Sequence, residues 1–258
     1  MSETVRYERD GAIAIITIAR PHVKNAMDAS VFEGLTQAGI RADADEEVRV
    51  VVVTGEGNFS SGIDTSLLAS QGEGGSATVD IARLQQAYSI FEDMQHPSIA
   101  AIEGPAFGGG FQLALACDFR VVADGARMSV METRWGIIPD LGATVRLPRL
   151  VGASRAKDLA MTAREIGAEE AYRIGLADRT APAGDALKVA LELAGSLGAG
   201  PPLALRGIKR LVNAAFDHPV AAGLEREVAT QRRILRSEDF IEAVTARVQK
   251  RDPAFRAR

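Results

Sequence analysis

Residues Ile102–Asp118 read IEGPAFGGGFQLALACD. The run Ser98–Ile102 leading into them is short and apolar, as a strand is, and Gly104-Pro105 ends it. Gly108, Gly109 and Gly110 follow, then an apolar helical run closed by Cys117-Asp118. Adjacent glycines at a helix start are unfavourable, because each loses more backbone entropy on folding than alanine does. A ligand that approaches the backbone explains them, since the first N–H groups of a helix have no partner within it and face negative charge. Close packing of helix on sheet is the alternative this stretch leaves open. The loop lacks the Gly-Lys-Ser/Thr of a phosphate loop and the GxGxxG spacing of a dinucleotide site. What remains is an anion hole, in which two aimed N–H donors hold a carbonyl oxygen that gains charge. The second donor needs a second loop. Asn58–Asp64 (NFSSGID) is the candidate, because it follows the β-branched run Val48–Thr54, although by itself it reads as a plain turn.

Two carboxylates stand out in Val130–Thr144, VMETRWGIIPDLGAT. Glu132 and Asp140 sit among Trp135, Ile137, Ile138 and Leu141. Apolar surroundings make a carboxyl hold its proton more tightly, which suits proton transfer. Surface acids, or acids paired with Arg134 and Arg146, fit the spacing equally well. Other chemistries lack their residues. There is no GxSxG elbow. His22, His96 and His218 are scattered, so no metal site is expected. Cys117 reads as a small buried residue rather than a nucleophile.

The length of 258 residues allows a main domain and an appendage. A net charge of −4 speaks against nucleic acid as a partner. One cysteine excludes an intrachain disulfide. The N-terminus has no signal-like apolar core and no apolar run spans a bilayer, so a cytoplasmic protein without a membrane partner is expected. Val5–Glu8 and Ala12–Ile18 flank Asp10-Gly11 as a hairpin. Helices are expected from Asp28 or Ser30 to about Asp43 and over Val79–Met94, with a loop at Ser70–Ser76. Arg120–Ala123 and Arg127–Val130 read as short strands. From Ser154 on the pattern is almost wholly helical, and Gly198–Pro202 (GAGPP) marks a boundary.

Taken in order, five segments resemble the crotonase superfamily, the enoyl-CoA hydratase/isomerase family, over nearly the whole chain. Arg20–Met27 (RPHVKNAM) looks like its first loop, and Phe59–Asp64 (FSSGID) like its FSAGxD motif. Gly104–Asp118 resembles its glycine-loop signature, Glu132–Thr144 its second active-site segment, and Thr162–Leu176 (TAREIGAEEAYRIGL) a helical stretch of the family. The resemblance implies an α/β spiral of repeated ββα turns over residues 1–197. Residues 198–258 would form a helical region for oligomerisation and coenzyme A cover, in homotrimers or dimers of trimers. It implies an acyl-CoA thioester, with coenzyme A as part of the substrate and no separate cofactor. The oxyanion donors fall on the backbone N–H groups of Ile63 and Gly109. Lys24, Ile63, Asp64, Thr65 and a neighbouring subunit's Lys250 would meet the coenzyme. Leu67, Leu68, Phe111 and Trp135 are expected acyl-pocket walls, with Phe107 and Ile137 beside them, and core packing suits each of them equally.

One position departs from the family's hydratases. These carry two glutamates, of which the second is Glu132, whereas the first falls on Gln112. An amide orients water but does not exchange a proton as a carboxyl does. A 3-enoyl to 2-enoyl shift needs only one carboxylate, which takes a proton at C2 and returns it at C4. The family's dienoyl-CoA isomerases also place an acid where Asp140 stands. The expectation is therefore double-bond isomerisation, with Glu132 as acid–base, Asp140 secondary and Gln112 orienting water or substrate. Hydration with a Gln112-held water, or acyl-CoA binding without turnover, are the alternatives.

Overall fold

The computed structural model describes residues 4–69 and 80–256. Strands β1 (Val5–Asp10) and β2 (Ile13–Ile18) form the expected antiparallel hairpin, with Val5 opposite Ile18 and Asp10 opposite Ile13. The Asp28 carboxylate caps α1 (Ala29–Ala44) by accepting the N–H groups of Ser30 and Val31. That helix buries Val31, Leu35, Ala38 and Ala42 along one face. β3 (Val50–Gly55), α2 (Thr65–Ala69), α3 (Ile81–Asp93) and β4 (Ser98–Ile102) follow. Next come β5 (Pro105–Phe107), α4 (Gly109–Ala116), β6 (Phe119–Ala123) and β7 (Arg127–Ser129). The remainder is α5 (Ala143–Val151), α6 (Ala153–Thr162), α7 (Ala168–Arg173), β8 (Arg179–Ala181), α8 (Ala186–Gly198), α9 (Pro202–Asn213), α10 (Val220–Ile234) and α11 (Glu238–Gln249). The loop expected at Ser70–Ser76 lies outside the described residues, as does the Leu68 side chain.

The main sheet has the order β1-β2-β3-β4-β6-β8 and is parallel beyond the first hairpin. Its central strands are covered on both faces, which is why they read as unbroken apolar runs. Val51 and Val53 point into the larger core with α1, α3 and α4. Val50 and Val52 point the other way, onto Ala186, Ala190 and Ala194 of α8. The three alanines let that helix lie close to the sheet.

A second, smaller layer runs across the turns of the chain. β5 pairs in parallel with β7, and isolated bridges join Met27 to Ile63, Ser60 to Ala106 and Met128 to Ile166. In each central repeat a long strand gives way to a short one in this layer and then to a helix. This is the repeating ββα plan the resemblance implies, and the region beyond residue 198 is helical as expected.

Two strands and two helices, among them the five-residue α2, were not anticipated. β5 and β8 have three residues each, too few to show a period, and β8 interrupts the stretch read as wholly helical. α5 starts after Gly142 and contains Pro148, so its propensity reads as loop. α9 is anchored on the core through buried Lys209, whose Nζ donates to the carbonyls of Phe91 and His96 and pairs with the Asp118 carboxylate at 2.8 Å. Among the described residues, no helix is long and apolar enough to cross a membrane.

Candidate active site

The second layer brings the two expected loops together. Met27 N–H donates to the Gly62 carbonyl at 2.8 Å, and Asp64 N–H donates to the Met27 carbonyl at 2.9 Å. Between them, the Ile63 N–H faces away from Met27. On the other side, Ser60 N–H donates to the Pro105 carbonyl and Phe107 N–H to the Ser60 carbonyl. The chain then turns at Gly108, whose φ of +50° is open to glycine and costly for other residues, and starts α4. The N–H groups of Ile63 and Gly109 have no acceptor among the described residues, and both residues line one cleft. The cleft holds about 360 Å³, and Asp64, Thr65, Glu132, Trp135 and Ile137 also line it.

Asn25 fastens this arrangement, and sequence reasoning missed it. Fully buried at a φ of +57°, it accepts from Arg20 N–H at 2.8 Å and donates to the carbonyls of Glu56 and Asn58. The Ser60 hydroxyl donates to its carbonyl. Arg20 adds ion pairs to Asp28 and Asp64. The signal was the asparagine inside RPHVKNAM, a segment read only for coenzyme contact.

Glu132 opens a short 3-10 turn after β7 and is 6% exposed. Its Oε1 accepts from Gln112 Nε2 at 2.7 Å, whereas its Oε2 is buried with no partner among the described residues. Burial pushes its pKa above the ordinary 4.5 and the Asp140 charge adds to this; its own backbone N–H, the Gln112 amide and the Met131 N–H act in the opposite direction. Gln112 is placed otherwise than expected. Fully buried, its carbonyl accepts the N–H groups of Leu141 at 2.9 Å and Ala143 at 3.0 Å. N–H groups only donate, so the amide orientation is fixed and its acceptor oxygen is taken by the protein. Gln112 thus meets Glu132 through its amide N–H and the Leu141–Ala143 backbone through its oxygen. Asp140 does not line the cleft and reaches Glu132 through its charge.

The expected acyl walls divide. Trp135 lines the cleft, 62% exposed, together with Phe107 and Ile137. Phe111 does not: it points from α4 into the core, 1% exposed, because a helix that begins at the hole turns that position inward. Leu67 packs against the same core. Of the coenzyme residues, Ile63, Asp64 and Thr65 line the cleft. The Asp64 carboxylate is held below its usual range by hydrogen bonds from Ser66 and Arg20, so its side chain serves the loop. Lys24 is exposed, and its carbonyl accepts from Ser61 N–H beside the hole. Lys250 caps α11 outside this chain's own cleft. Burial pushes the Cys117 thiol up to about 12, which suits its expected inert role.

The sequence profile of a family described as enoyl-CoA hydratase/isomerase matches residues 8–258. The chain belongs to that family. Among relatives of this enoyl-CoA hydratase/isomerase, the carnitinyl-CoA dehydratase of Salmonella heidelberg (strain SL476) is 37% identical, with both chains fully covered. The crystal structure of an enoyl-CoA hydratase from Polaromonas sp. JS666 superposes with a TM-score of 0.93 at 33% identity, covering 97% of this chain and 99% of that one. A candidate enoyl-CoA hydratase from Thermobifida fusca YX in complex with CoA gives 0.83 at 35% identity, covering 91% and 93%. The chain is thus a crotonase-superfamily enzyme with the fold its motifs imply.

Proposed function

We propose that this enzyme moves the double bond of an enoyl-CoA between C3 and C2. Glu132 Oε2 removes a proton from C2 of a 3-enoyl thioester, and the N–H groups of Ile63 and Gly109 hold the thioester oxygen as the dienolate forms. The same carboxyl then returns the proton at C4, so the substrate's atoms balance without water. The observation that carries this reading is the division of labour at Glu132: one oxygen fixed by Gln112, the other buried and unpartnered. A water held for addition would find no free acceptor on Gln112, because Leu141 and Ala143 occupy it. The thioester supplies the activation, so no metal or redox cofactor enters the proposal. The backbone at residues 63–65 is suited to the coenzyme, with Lys24 beside the hole and a neighbouring copy's Lys250 for the phosphates. The CoA-bound structure from Thermobifida fusca supports a coenzyme in this fold.

The second reading is hydration or its reverse, favoured by the carnitinyl-CoA dehydratase and enoyl-CoA hydratase names of the relatives. The two are separated by incubating purified enzyme with 3-enoyl-CoA and 2-enoyl-CoA and resolving the products. Isomerisation exceeding hydration is the expected outcome; hydration as the faster reaction would reverse the assignment. Glu132 must start ionised, and its pKa is raised. The rate should therefore fall as pH drops, with a midpoint above the ordinary 4.5 of a glutamate. A midpoint at or below that value would remove Glu132 as the base.

The homotrimer rests on the outer helices. α10 buries none of its residues, and Val220, Leu224 and Val228 repeat every fourth position along it, all exposed. On α11, Ile241, Val244 and Val248 are exposed at helical spacing. Apolar faces of this kind on a lone chain fit association with further copies. Sedimentation equilibrium should return the mass of three or six chains, and a monomer at every concentration would sink the idea.

A further inference from the structure

The segment that occupies the Gln112 carbonyl is itself held from several sides. The Arg146 guanidinium, from α5, donates through Nη1 to the Leu141 carbonyl at 3.0 Å. Its Nε and Nη2 meet the Glu92 carboxylate of α3 at 2.8 and 2.6 Å. Gln85, also on α3, donates to the Asp140 carbonyl at 2.6 Å. Gly142 lies between the two N–H groups that reach Gln112. Its φ is +108°, and a Cβ there would stand 1.9 Å from Arg146 Nη1. The guanidinium is thus seated against a backbone position that only glycine leaves open. From Glu92 a continuous chain of contacts runs through Arg146, the Leu141–Ala143 backbone and Gln112 to Glu132 Oε1.

We propose that Arg146, braced by Glu92, is a positioning residue for the Glu132 carboxylate. By gripping the Leu141 carbonyl it keeps two N–H groups on the Gln112 oxygen, which leaves the amide N–H to face Glu132 Oε1 and leaves Oε2 without a partner among the described residues. Without the grip, the Gln112 amide is free to turn. Glu132 then loses a donor to its charged form, or meets a carbonyl oxygen instead; either change makes the carboxyl hold its proton more tightly. The groups that face Glu132 are the Gln112 amide from α4, the Tyr88 phenol from α3, the Asp140 carboxylate and its own turn's backbone N–H groups. The Tyr88 phenol and the turn's own N–H groups lie outside the segment that Arg146 grips.

This inference rests on Glu132 being the acid–base group, and its test reads Glu132 directly. Arg146→Lys keeps the positive charge but loses the planar fork that meets Glu92 and Leu141 together. Titration of side-chain-carbon-labelled glutamate by NMR follows Glu132, identified as the signal absent from Glu132→Gln. The expected result is a midpoint raised by about one pH unit in Arg146→Lys, with the acid limb of the reaction moving up in parallel by about tenfold in proton concentration. Glu92→Gln should move it less, in the same direction. A through-space charge effect predicts a wild-type midpoint for Arg146→Lys, and a purely structural role predicts a lower melting temperature with no shift; either overturns the proposal. If Arg146→Lys does not fold, Glu92→Gln and Gly142→Ala decide the matter, and unmoved midpoints in those variants overturn it. Should Glu132→Gln keep full turnover, the proposed reaction fails while the titration still reports on Arg146.

Discussion

Glu132→Gln should lower turnover of enoyl-CoA by roughly 10²–10⁴-fold while leaving coenzyme A affinity within a few-fold of wild type. The change keeps the size of the side chain and takes away the proton acceptor. It also reverses a hydrogen-bond role at the buried position. Oε1 now accepts from the Gln112 amide, and an amide at position 132 offers either a carbonyl there or an N–H that meets another N–H. The carbonyl orientation is preferred, and it leaves the new N–H where the unpartnered Oε2 stood. The fold should tolerate the variant, because the costly burial of a charge disappears along with the base. Turnover measured by loss of 3-enoyl-CoA, with affinity from calorimetry on a saturated acyl-CoA, separates chemistry from binding. Turnover within about tenfold of wild type would remove Glu132 from the reaction, since a general base contributes at least about a hundredfold.

Gly110→Ala should reduce kcat/KM by about 10²–10³-fold, the usual cost of an oxyanion donor. The added Cβ would stand 2.7 Å from the Ser60 carbonyl oxygen and 2.8 Å from the Ser60 Cβ. Ser60 has little freedom to give way. Its N–H and carbonyl are tied to Pro105 and Phe107, and its hydroxyl donates to Asn25 and accepts from Gly62. The first turn of α4 must move instead, which carries the Gly109 N–H away from the oxygen that Ile63 holds. Overpacking should also cost about 1–3 kcal/mol of stability. Activity is therefore measured well below the variant's own melting temperature, with a folded circular-dichroism spectrum as the control. Wild-type kcat/KM in a folded Gly110→Ala protein would show that the two loops need not be so close.

The two loops that line the cleft were legible in the sequence because each is local. Three glycines before an apolar run, and a Gly-containing loop after a β-branched strand, each announce a backbone that must be reached. The main strands were legible too, since burial on both faces leaves an unbroken apolar run. β5 and β8 were not, because their partners lie far along the chain and three residues carry no period. The same distance hid Asn25, whose partners Glu56 and Asn58 are more than thirty positions on. Gln112 shows another limit. The sequence flags an amide where an acid is usual, but nothing local tells that its oxygen is claimed by Leu141 and Ala143. Phe111 stood equally open to the cleft and to the core, and the helix turns it inward.

The row of bridges from Met27 through Ile63, Ser60, Ala106 and Met128 to Ile166 works as a seam sewn across successive turns. Each stitch fixes where two turns touch and places no demand on the length of chain travelling between them. Among the described residues the chain between Ile63 and Pro105 adds no stitch of its own, so the seam sets no length for it. The joins between turns and the length of each turn are therefore written in separable parts of the chain. A descendant of this protein can vary the chain between two stitches while inheriting the stitches unchanged.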